Sequence, residues 1–295
     1  MADVPVTLTS SGLSAQVNPL GAELTRLADR EGRDLLWNGD PAFWTGRAPL
    51  LFPIVGRLPG DRLLHKGAAY PMSQHGFARR RSFTLTDQGT SHATFRLVAD
   101  EATRVQYPFD FALDVTYTLA EATLRIEARL ANPGTEPLPA SFGFHPAFLW
   151  PLPYGGTRAE HRLTFELPEA APVHRPVGGL LSEAVEPNPA VDGVVELTDA
   201  LFAADAVIFT QLRSRHIRFG VPGEPGLEVA FEGMPHLGIW SKPGAPFVCI
   251  EPWQGYATPE GDERPFTDKP GLVFVPPGQT HRFAMAVRWL SDAGR

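Results

Sequence analysis

The chain has 295 residues, 43% of them hydrophobic and 20% charged, which is enough apolar material for a substantial core and too little charge bias for a disordered tail. A formal charge of -7 offers no bulk attraction for nucleic acid or an anionic membrane, so neither is expected as a partner. One cysteine, Cys249, excludes an internal disulfide and any CxxC metal spacing, and a reducing, cytoplasmic setting is expected.

The N-terminal stretch MADVPVTLTSSGLSAQ has no basic start followed by an apolar core, and no run approaches the roughly 18 to 20 apolar residues of a spanning helix. Thirty prolines and 28 glycines suit a turn-rich chain of strands better than a helical bundle. In chain order, DPAFW (40–44) reads as a short helical turn, and TFRLVA (94–99) as a strand. FALDVTYTL (111–119) is the clearest strand: Phe111, Leu113, Val115, Tyr117 and Leu119 alternate with Ala112, Asp114, Thr116 and Thr118. After AEA, the run TLRIEARL (123–130) repeats the alternation with Leu124, Ile126, Ala128 and Leu130 inward, which predicts an antiparallel hairpin.

LTDALFAADA (197–206) reads as a second helical turn with Asp199 placed to cap it. HIRFGV (216–221), LEVAF (227–231), FVCIE (247–251) and RFAMAVRW (282–289) are further strands. No internal repeat or clean linker interrupts them, so residues 1–295 are expected to form one all-β domain.

Two histidines sit among aromatics and turns, His75 in QHGFARR (74–80) and His145 in SFGFHPAF (141–148). An imidazole titrates near neutrality and suits proton donation, although a lone core histidine bonded to a backbone carbonyl is the commoner arrangement. Glu251 ends a buried-looking strand beside Trp253, where partial desolvation would favour its neutral form and tune it as a general base; a strand-end glutamate paired with arginine is the plain alternative. His65, His92, His161, His174 and His216 lie in polar surroundings and read as surface residues.

His281, in PPGQTHRF, follows a turn of the kind that carries a metal-binding histidine in cupins, but no HxH accompanies it, so it reads as a strand-start residue and no metal is expected. HExxH, GxxxxGK[ST], strand-bound GxGxxG and GxSxG are all missing, so no cofactor is expected.

Taken in order, LLFPIVGRLPGD (50–61), QHGFARR, SFGFHPAF, LFAADAVIF (201–209), CIEPWQG (249–255) and LVFVPPGQTHRF (272–283) resemble the aldose 1-epimerase, galactose mutarotase-like family, and within it the compact LacX-like bacterial branch. The resemblance implies a β-supersandwich of large antiparallel sheets with a sugar cleft on a concave face. It implies a cofactor-independent isomerase that opens and recloses a pyranose. By motif position Glu251 matches the base, His145 the acid and His75 a second histidine near the ring oxygen.

Arg57 matches a substrate-binding arginine and Asp205 a sugar-binding aspartate; Gln74, Arg79 and Trp253 are further substrate-binding candidates, and Trp44, Phe77 and Trp253 are candidates to pack on the sugar's apolar face. Gly56 stands where the galactose branch has asparagine. HGFAR also resembles the hexose-6-phosphate epimerase branch, in which Arg79 and Arg57 would form a phosphate clamp. The expected partner is therefore a sugar or sugar phosphate; a non-catalytic carbohydrate-binding module is the alternative.

Overall fold

The computed structural model describes residues 4–291. Its main body is two large antiparallel sheets. The nine-stranded sheet runs, from edge to edge, through Val194–Glu196, Arg162–Phe165, His216–Gly220, Gly226–Glu232, Thr280–Leu290, Thr123–Ala131, Ala112–Ala120, His92–Val98 and Thr84–Gln88. The second sheet runs through Leu180–Glu186, Val173–Val177, Val207–Phe209, His236–Trp240, Phe247–Gln254, Phe142–Phe144 and Leu50–Leu51, with Ala147–Leu149 also paired to Phe247–Gln254. A smaller sheet, Val6–Thr9, Leu13–Asn18 and Glu23–Asp29, is tied to the nine-stranded one where the Tyr117 hydroxyl donates to the Ala22 carbonyl at 2.5 Å.

The predicted hairpin forms with Leu124 opposite Leu119 and Leu130 opposite Leu113, so the alternating apolar residues of both strands share one buried face. Each such Leu, Ile or Val contributes roughly 1.5–3 kcal/mol on full burial. The two large sheets meet through this face: Phe142 stacks on Phe283 with centroids 5.0 Å apart, and Phe165 lies 5.4 Å from Phe209.

Phe247–Gln254 is buried on both faces, and its alternation therefore sorts two environments rather than core from solvent. Val248 and Ile250 point into the core between the sheets, while Phe247, Cys249 and Trp253 pack in separate clusters on the opposite face. The neighbouring strand repeats the division: Leu237 and Ile239 join the inter-sheet core, and Trp240 joins the other face. That second face carries the candidate site.

Both expected helical turns form, the second without its expected cap. Ala200–Phe202 is one 3-10 turn, and Asp199 does not cap it; its carboxylate accepts from Arg158 at 2.9 Å and from the Gly244 N–H at 3.0 Å. Residues 41–43 form a turn closed by the Trp44 N–H donating to the Asp40 carbonyl at 3.0 Å. Among the described residues the one α-helix, Glu101–Arg104, begins with a capping box in which Asp100 accepts from the Thr103 N–H and Thr103 accepts from the Asp100 N–H. His161, expected at the surface, is buried: its Nε2 accepts from the Leu152 N–H at 2.9 Å, and Nδ1 bonds the Thr157 carbonyl at 2.8 Å. Among the described residues no helix is long and apolar enough to cross a membrane.

Candidate functional site

His145 and Glu251 are brought together by sheet register. Phe142 and Gly143 stand opposite Gln254 and Trp253, while Ala147 to Leu149 stand opposite Cys249 to Phe247, with the same offset on both sides of the break at 145–146. His145 therefore falls opposite Glu251, on the face away from the inter-sheet core. Its Nε2 lies 3.2 Å from Glu251 Oε2, and both side chains are buried.

Burial is the main perturbation of both groups, because each charged form loses solvation there. Glu251 is pushed well above the usual carboxylate range by burial and then by the Asp205 charge. The Trp253 indole N–H acts in the opposite direction on Glu251, although it makes no aligned hydrogen bond. Burial brings His145 down to about 3.

His75 reaches the same place through a different device. Its backbone has φ +63° and that of Gly76 has φ +73°, two successive left-handed residues that turn the chain sharply. A Cβ on Gly76 would run into the Phe52 carbonyl, so glycine is required there by both conformation and space. The turn is clipped to Gly56: the His75 N–H donates to the Gly56 carbonyl at 2.8 Å, and the Gly56 N–H donates to His75 Nδ1 at 3.1 Å. Because a backbone amide can only donate, Nδ1 is the acceptor and the neutral ring carries its proton on Nε2. Burial, and then the electrostatic influence of His145, Arg79 and Arg80, holds the His75 pKa well below its ordinary value.

These side chains line a cavity of about 320 Å³, near the lower end of the roughly 300–1,000 Å³ typical of small-molecule sites. Trp44 stacks on His145 with centroids 5.0 Å apart and planes 29° apart, and Trp240 meets both rings edge-on. Trp253 lies across strands that present glycine to it: a Cβ at Gly143 or at Gly238 would overlap its indole. The sheet face thus offers three aromatic walls beside the paired imidazole and carboxyl of His145 and Glu251.

Of the eight site residues expected from the sequence, Glu251, His145, His75, Gln74, Arg79, Asp205 and Trp253 line this cavity. Arg57 does not. Its Nε and Nη2 donate to the Asp61 carboxylate, both at 2.6 Å, and Nη1 donates to the Gly178 carbonyl, which turns the guanidinium away. The expected clamp of Arg57 with Arg79 is therefore not formed. Arg79 Nη2 donates to the Gln74 carbonyl at 2.9 Å, while its Nε is buried without a partner. Asp205, at φ +69°, is exposed and accepts from the Ala206 N–H at 2.7 Å.

Phe77 belongs to the core, against Phe52 and Phe111, and not to the cavity. Trp240 also lines the cavity and was not expected from the sequence; its alternation with Leu237 and Ile239 on a strand buried on both faces is the signal that marks it. His281 lies in Thr280–Leu290 opposite Leu130, as a strand-start residue should.

A family model described as aldose 1-epimerase matches residues 5–288. The plasmid-encoded protein LacX of Lactococcus lactis subsp. lactis is 32% identical over 94% of this chain and 96% of its own. A galactose mutarotase related enzyme from Lactobacillus acidophilus superposes with a TM-score of 0.90 at 28% identity, covering 99% of both chains. A galactose mutarotase-like protein from Lactobacillus casei superposes with a TM-score of 0.89 at 30% identity, covering 97% of this chain and 100% of that one. The chain belongs to the aldose 1-epimerase family of sugar-processing, isomerase-type enzymes.

Proposed function

We propose that the protein interconverts the α and β anomers of an unphosphorylated aldose. The observation that carries this reading is the buried contact of His145 with Glu251, 3.2 Å long, on the wall of a cavity walled by Trp44, Trp240 and Trp253. The Glu251 carboxylate takes the proton of the anomeric hydroxyl, whose electron pair forms the C1 carbonyl as the bond from C1 to the ring oxygen breaks. His145, as imidazolium, gives its proton to that oxygen. Rotation about C1–C2 followed by the reverse transfers closes the other anomer.

Neutral Glu251 with neutral His145 holds the same number of protons as carboxylate with imidazolium. One proton moved across the 3.2 Å contact interconverts the two arrangements, so both ends of the reaction fit a dry site without a change of net charge. His75, with its proton on Nε2, acts as a hydrogen-bond donor to a sugar oxygen and stays neutral. Asp205 and Gln74 bind hydroxyls at the rim, and the tryptophans pack on the apolar ring faces.

Arg79 is the only Lys or Arg among the residues lining the cavity, and Arg57 is committed to Asp61. That favours a neutral sugar over a 6-phosphate. Polarimetry on freshly dissolved α-glucose and α-galactose tests the reading, with a panel of other aldoses and sugar phosphates. Faster equilibration that is lost in Glu251→Gln supports it. No acceleration on any sugar, with calorimetry still showing sugar binding, would instead identify a carbohydrate-binding module. Faster turnover of 6-phosphates that falls selectively in Arg79→Ala would restore the phosphate reading.

A further inference from the structure

We infer that His145, Cys249 and Glu251 together form a latent site for a borderline-soft divalent cation, Zn²⁺ above all, whose occupation disables the acid/base pair. Cys249 and Glu251 lie two apart on Phe247–Gln254 and so share its outer face, and register sets His145 opposite Glu251. One ligand atom from each, an imidazole nitrogen, a thiol sulfur and a carboxylate oxygen, lies within 4.8 Å of both others, and all three residues are buried.

Zinc bonds to nitrogen and oxygen are about 2.0–2.1 Å long, so a nitrogen and an oxygen on one tetrahedral zinc sit roughly 3.3 Å apart. The 3.2 Å separation of His145 Nε2 and Glu251 Oε2 is already that edge. The widest separation in the trio must contract by about 1 Å to meet a zinc–sulfur bond of about 2.3 Å, within reach of a side-chain torsion. A thiolate, an imidazole and a carboxylate select zinc or cobalt over magnesium or calcium, which prefer oxygen alone. His145 and Glu251 line the cavity, which leaves its open side for the fourth ligand.

Two features mark the cation as an inhibitor rather than a resident cofactor. Ligating histidines of resident sites almost always donate their other ring N–H, whereas His145 Nδ1 is buried with no hydrogen-bond partner. The cation would also take the nitrogen and oxygen that face each other in the pair, leaving neither free to move a proton. Cys249 itself has no part in the proposed proton transfers.

The test is titration of the EDTA-treated, dialysed full-length protein with Co²⁺ in the absence of sugar, followed by displacement with Zn²⁺. One equivalent should give the visible bands of a four-coordinate site together with a near-ultraviolet thiolate-to-cobalt charge-transfer band, both bleached by Zn²⁺. Cys249→Ser should lose the near-ultraviolet band and bind Zn²⁺ at least roughly tenfold more weakly. Where sugar turnover is measurable, that variant should also resist Zn²⁺ inhibition while keeping turnover within about twofold of the parent's.

Absence of the charge-transfer band in the unmodified protein overturns the inference, whether or not the serine variant folds. So does cobalt bound with visible bands alone, which would place it elsewhere. The spectra need no turnover, so a failed cobalt titration and a failed sugar assay are separate outcomes.

Discussion

His75 and Gly56 exchange two hydrogen bonds, His75 N–H to the Gly56 carbonyl at 2.8 Å and Gly56 N–H to His75 Nδ1 at 3.1 Å. The second bond fixes the tautomer, and with it the role open to the ring. Asparagine tolerates left-handed backbone and can still offer an acceptor to Gly56, but it has nothing at the position of Nε2. His75→Asn should therefore fold normally and lose roughly 10²-fold in kcat, the effect of deleting one well-placed donor. Unchanged kcat with normal thermal unfolding would reduce His75 to a structural clip.

Gly76 makes the same turn possible. Alanine there would have to adopt φ +73° with its Cβ against the Phe52 carbonyl. Gly76→Ala should lose about 2 kcal/mol or more of stability in urea unfolding, because strain and overlap add. A loss under about 0.5 kcal/mol would contradict the tight approach of the two segments.

Glu251 links activity to stability with a definite sign. Its folded pKa is raised above the unfolded value, so from about pH 4.5 upward the unfolded chain releases a proton that the folded one retains. Stability from this group is full below the unfolded pKa and falls as pH rises toward the folded pKa. His145 contributes oppositely: its pKa is lowered to about 3, so its contribution is full above about pH 6.5 and is lost as pH falls toward 3. Glu251→Gln removes only the first effect. Urea unfolding should show the variant gaining on the parent as pH rises from 5 to 8, and a gap independent of pH would mean that the Glu251 pKa is not raised.

Trp253 depends on two missing side chains. Gly238→Ala places a methyl in the space of the indole, so the ring, which lines the cavity, must shift. The expected result is a several-fold rise in KM and a shift in tryptophan emission, with kcat less affected because the His145–Glu251 contact lies on other side chains. Unchanged emission and KM would show that the sheet absorbs the methyl.

Much of the frame was legible because period-two alternation is local: the 111–130 hairpin could be read residue by residue, down to which side chains face inward. The pairing of His145 with Glu251 could not be read that way. It depends on the register of strands more than a hundred residues apart, and only the resemblance of the surrounding motifs pointed to it. Arg57 shows the reverse limit. Asp61, four residues on, was visible in the sequence, but the turn at Gly60 and Asp61, both at positive φ, is what folds it back onto the guanidinium. The charged neighbours Glu160 and Arg162 give His161 the look of a surface residue, while its two ring nitrogens satisfy backbone groups in the interior.

In the proposed reaction one buried carboxyl and one imidazole, set opposite each other across a strand pair, perform both proton transfers. Exchange NMR at anomeric equilibrium reads this most directly, comparing α-to-β rates for the unmodified protein, Glu251→Gln and His145→Asn on the sugar that polarimetry identifies. Each single variant should lose roughly 10²-fold or more, and the double variant little beyond the worse single one, since the two groups act as a unit. Either variant exchanging anomers at the unmodified rate would contradict it.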